Sequence, residues 1–124
     1  MSLPVPRPSL KEAALVESTT SIATTPVVAA MIAPQAGLIE RVMAAAGGTT
    51  TGTTTVAVSV NGGGDIANGT LTIAAGTGAR AGTVVELGVA GSGPVAVNEG
   101  DIITFTPSGG TGASIPGAFG LVIR

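Results

Sequence analysis

From residue 26 onward the chain alternates apolar and polar positions. In TTTVAVSVNG (53–62), Val56, Val58 and Val60 fall on one face and Ala57 and Ser59 on the other, the two-residue period of a half-buried strand. TLTIA (70–74) turns Leu71 and Ile73 one way and its threonines the other, and Val85, Leu87 and Val89 share a face of TVVELGV (83–89). VVAAMIA (27–33), Val95–Val97, IITFT (102–106) and FGLVI (119–123) read as further strands, the last grouping Phe119, Leu121 and Ile123. APQAG, NGGG and NEGD stand between them as turns. The run LIERVMAAA (38–46) breaks the pattern, because Glu40 shares a face with Leu38 and Val42, and Arg41 with Ile39 and Met43. It predicts either a bulge or a strand buried on both faces. About eight short antiparallel strands punctuated by turns predict an all-β fold, a single small β-sandwich over 26–124. TTTGTTT (49–55) is expected to lead through a loop into the strand at Val56, as scaffold.

Residues 1–25 read differently. LPVPRPSL alternates proline with other residues, which favours an extended N-terminal arm. Ser9 followed by Glu12 fits a capping box, and a short helix over 10–17 is expected. Leu3, Pro4, Val5, Pro6, Arg7 and Leu10 are the candidate residues for docking this arm on a neighbouring protein, with the sandwich expected to fold without it.

Composition changes the picture in one respect. Charged residues make up 10% of the 124, against about 25% in an ordinary soluble domain. A surface so poor in charge calls for a membrane or for other subunits. The longest uncharged runs, 18–39 and 42–64, are broken by Pro26 and Pro34 or are mostly Thr and Gly, and neither offers the roughly 20 apolar residues of a spanning helix. The N-terminus does not read as a signal peptide, and the absence of cysteine fits a chain made in a reducing cytoplasm. Subunit contacts remain, and Glu40, Arg41 and Glu86, charges set within strands, are candidates for an inter-subunit ion pair. A net charge of −2 with no basic run and two aromatic residues argues against nucleic acid.

Catalytic chemistry finds little purchase. Without histidine or cysteine the usual zinc ligands are missing, and serines and threonines have no base to activate them, since the sole lysine, Lys11, lies in the arm. Asp65, Glu99 and Asp101 sit in turn sequences, where carboxylates accept backbone hydrogen bonds. The sequence therefore points to no catalytic, cofactor-binding or metal site and to a protein that is not an enzyme.

APQAGLIERVMAA, TTTVAVSVNG, GTLTIAAG and VNEGDIITFTPSGGTG, followed by a short C-terminal strand, together resemble the capsid decoration (cement) proteins of tailed phages over about residues 30–124. The resemblance implies a jelly-roll-like sandwich, a homotrimer, and a place on the outer surface of the virion. There it would clamp neighbouring major capsid subunits. The alternative from another functional class is a head-fibre base or adhesin-type module that holds host glycans.

Overall fold

The computed structural model describes residues 12–67, 69–76, 82–87 and 95–124. Among these residues there is no helix, and nine strands form two sheets. The strands are β1 (Ala13–Thr19), β2 (Ala29–Ile32), β3 (Gly37–Ala46), β4 (Thr54–Val60), β5 (Leu71–Ile73), β6 (Gly82–Glu86), β7 (Val95–Val97), β8 (Ile102–Ser108) and β9 (Gly117–Ile123). The first sheet runs β1-β9-β3-β6, with β7 beside β6 along the same edge of β3, and the second runs β2-β8-β4-β5. All pairings are antiparallel. β1 pairs β9, β2 pairs β8, β3 pairs β6 and β7, and β4 pairs β5. These nested pairs fold the chain back along its own length and wrap it into two sheets, the jelly-roll arrangement.

The strands predicted from alternation form with ends displaced by a few residues, but the one expected over 83–89 is a strand only to Glu86, with Leu87 in a turn and Val89 outside the described residues. At LIERVMAAA the structure chooses the bulge. The ladder between β3 and β9 shifts register between Ile39 and Arg41, so Glu40 is the extra residue and Ile39 and Val42 both enter the core, fully buried. A regular strand would have sent one of them out, because side chains alternate strictly.

The sheets enclose one apolar core. Ile39, Val42, Ala44, Phe119, Leu121 and Ile123 come from the first sheet, and Val56, Val58, Leu71, Ile73, Ile103 and Phe105 from the second. Ile22, Ile66, Leu87 and Ile115 close it from the connections. TTTGTTT is loop up to Thr53, and Thr51 donates its hydroxyl to the carbonyl of Thr111 at 2.6 Å, so this loop is tied to the one before β9.

The N-terminus corrects the sequence reading. Residues 13–17, expected as the body of a helix over 10–17, lie in β1, registered from Ala13 opposite Ile123 to Thr19 opposite Gly117. Ile22 and Ala23, placed in the arm, are fully buried, and the Ile22 amide donates to the Ile115 carbonyl at 2.8 Å. The sandwich thus begins at residue 13 and not at 26. Two helical turns are marginal in water, whereas β1 gains a full ladder along β9 and turns Ala13 and Leu15 toward the core.

Candidate interaction surface

Register fixes what each face of the first sheet displays. Partners across an antiparallel ladder point to the same side, so the outer face can be read in rows. One row is Val16, Gly120, Met43 and Val84, from β1, β9, β3 and β6 in turn. The next toward the loop end is Ser18, Ala118, Ala45 and Gly82. Neither row holds a charge. Val16 is 76% exposed and Val84 55%, and between these two walls lies an apolar groove of about 290 Å³. Its floor is Gly120, where an added Cβ would stand 3.1 Å from the Met43 methyl. The glycine lets Met43 lie flat across β9. A second recess of about 210 Å³ continues past Ala45 and Ala118 to Pro116.

Charge collects at the other end of the same face. Ala14, Val122 and Arg41 form the bordering row, and Glu86 is the backbone register partner of Arg41. Beyond it the Arg124 guanidinium is held between two carboxylates, Glu12 at 2.9 Å and Glu40 at 3.2 Å. The hydrogen bond that Arg124 donates to Glu12, with the charges of Glu40 and Glu12, raises the Arg124 pKa above its ordinary value. Of the sequence-predicted site residues, Glu40 and Arg41 are therefore brought to one margin of the groove, with Glu40 engaged by Arg124 of its own chain, and Glu86 is placed by its backbone register opposite Arg41. Leu3, Pro4, Val5, Pro6, Arg7 and Leu10 lie outside the described residues.

The second sheet's outer face is of another kind. Its rows are Thr72, Thr55 and Ser108; Ala57 and Thr106; and Ser59, Thr104 and Ala30. The Thr55 and Ser108 hydroxyls lie 3.0 Å apart in a hydrogen bond. A further row, Ile32 and Ile102, is apolar and exposed, so this face is hydroxylated except at that end, whereas the first sheet's is apolar and grooved.

Sequence reasoning did not single out Val16, Met43, Val84 or Gly120. The available signal was FGLVI and VMAAA, apolar at both parities of the strand, which marks burial on both faces. The carboxylates in turns behave as turn groups. Asp101 accepts the Asn98 amide at 2.8 Å, and its pKa is lowered by hydrogen bonds from the Asn61 side chain and the Asn98 backbone. Among the described residues no three His, Cys, Asp or Glu side chains cluster in a way that holds a metal ion. What this arrangement offers chemically is a binding surface, apolar at its centre and charged at one margin. No protein-family model matches the chain, and no curated protein matches it.

Proposed function

We propose that this chain is a structural virion protein of the tailed-phage decoration type, one that binds the outer surface of the head and clamps neighbouring major capsid subunits. Its partners in this reading are the major capsid protein and further copies of itself, and it requires no cofactor. The observation that carries the proposal is the uncharged row Val16–Gly120–Met43–Val84 with its groove. Monomers seldom expose continuous apolar patches without a partner to cover them. The jelly roll by itself favours no function, since this fold serves many. The resemblance in APQAG, TTTVAVSVNG and VNEGDIITFTPSGGTG supplies the capsid context, and the opposite hydroxylated face would stay in contact with water.

The experiment is to mix purified protein with undecorated heads and sediment them. Wild-type protein should pellet with heads to a fixed stoichiometry. Val84→Asp, which places a charge on the groove wall at an exposed position, should remain folded and lose binding by about tenfold or more. Heads that pellet without the protein, together with signal on a glycan array, would replace this reading with the adhesin one.

A further inference from the structure

Among the described residues β1 is an edge strand, and its backbone polarity can be read from its neighbours. Leu38 and Arg124 exchange both backbone hydrogen bonds, each at 2.9 Å. Along β9 the bonding direction alternates from that pair, so Val122 and Gly120 address β3 while Ile123, Leu121 and Phe119 address β1. Their partners Ala13, Leu15 and Glu17 therefore bond β9, and Ala14, Val16 and Ser18 aim their N–H and C=O groups away from the sheet. Ser18 agrees, since its N–H is taken by the Glu17 carboxylate at 3.1 Å.

We propose that this edge joins two copies of the chain, β1 pairing antiparallel with β1 of the second copy about a two-fold axis. Ala14 stands opposite Val16 of the second copy, and Leu15 opposite Leu15 at the axis. This register uses the free backbone groups of Ala14 and Val16 and leaves the Ser18–Glu17 bond intact. It also sets the two Glu17 carboxylates about four residues apart along the strands, roughly 13 Å, whereas pairing Val16 with Val16 would bring them within about 9 Å.

Three observations make a second copy the occupant. An edge strand is a template for another chain unless something blunts it, by shortness, proline, lysine or a bulge. The second sheet's edges are short, with β5 of three residues and β2 of four. β1 has seven residues, regular pairing, no proline or lysine, and a single charge, Glu17, toward its C-terminal end. Next, β1 lies over β2, where the Thr19 hydroxyl donates to the Val27 carbonyl at 2.7 Å. Val16, Val27, Val28 and Ile32 on this flank are four of the seven exposed large apolar side chains among the described residues. Finally, the contact is self-complementary, as a two-fold interface must be. The row through Val16, Gly120 and Met43 then meets Ala14 and Val122 of the second copy, so the residues flanking the seam on this face are uncharged. The pairing is independent of head binding.

The test begins with mass in solution. At about 0.1 mM, where a complex of micromolar Kd is nearly saturated, light scattering should give twice the 11.8 kDa chain mass. A trimer through another surface would give three times that mass. Val16→Pro removes one hydrogen bond per copy from the pair and none from the β1–β9 ladder, and edge strands tolerate proline where the N–H faces out. Self-association should weaken by about tenfold or more, with thermal unfolding of the monomer nearly unchanged. If that variant misfolds, Val16→Lys serves the same purpose. Amide exchange adds a readout specific to register: Val16 and Ala14 should gain protection as concentration rises, while Leu15, bonded to β9, is protected throughout. A monomer at 0.1 mM, a folded Val16→Pro protein that associates like wild type, or Val16 protection independent of concentration each overturns the proposal.

Discussion

The ring of Phe105 on β8 lies parallel to the ring of Phe119 on β9, with centroids 5.1 Å apart and planes inclined by 7°. These are the only two aromatic residues of the chain, and they come from opposite sheets. Each is essentially inaccessible to solvent. Phe105→Ala or Phe119→Ala should lower stability by about 3–5 kcal/mol, because the remaining aliphatic side chains cannot close the cavity. A double-mutant cycle in denaturant should return a coupling of about 0.5–1.5 kcal/mol beyond the area lost. Additive single effects would remove the stacking from this account.

Thr54, at the start of β4, is fully buried, and its hydroxyl finds no hydrogen-bond partner among the described residues. An unpaired polar atom in such a place carries a desolvation cost with nothing to offset it. Thr54→Val exchanges the hydroxyl for a methyl of nearly the same size and should raise stability by about 1–2 kcal/mol. The measurement is the urea midpoint at unchanged slope. A destabilised variant would mean that the hydroxyl has a partner after all.

Asp101 ties the turn before β8 to the end of β4. Its folded pKa lies below the ordinary aspartate value of 3.8, so its contribution is fully present above that value. It is lost as pH falls through the lower, folded one. Wild type should therefore be more stable than Asp101→Asn at neutral pH, and the difference should shrink below about pH 4. With no histidine in the chain, neither protein should change much between about pH 6 and 8. Denaturation midpoints across this range check both statements, and a gap that persists to the acid limit would contradict the first.

Truncation separates the two parts of the N-terminal region. Removing residues 1–11 leaves Glu12, β1 and Ile22 in place, and the β-type circular dichroism and melting temperature should stay close to wild type. Removing residues 1–25 strips an edge strand and the fully buried Ile22 and Ala23 from the core. Losing Ile22 alone is comparable to a large-to-small change of about 2–5 kcal/mol, against a total stability of about 5–15 kcal/mol for a domain. The longer deletion should not fold. A folded product would restore the arm as a separate unit.

Residue order alone determines the class of this protein. Period-2 alternation, threonine- and valine-rich runs and glycine-rich turns leave room for little besides strands, because these are local preferences of backbone and side chain. The poverty of charge, 10% of residues, is likewise legible in the sequence. The conflict at Glu40 was legible too, but its resolution was not: a bulge is selected only when β9 lies alongside and both Ile39 and Val42 must be buried. β1 was hidden for a related reason. AALVEST is short, carries a cap signal upstream, and becomes a strand only because β9, over a hundred residues away, presents an edge. The groove depends on three separate ladders bringing Val16, Gly120, Met43 and Val84 into one row. Long-range pairing aligns residues that are distant in sequence, and local propensity carries no information about which strand will lie next to which.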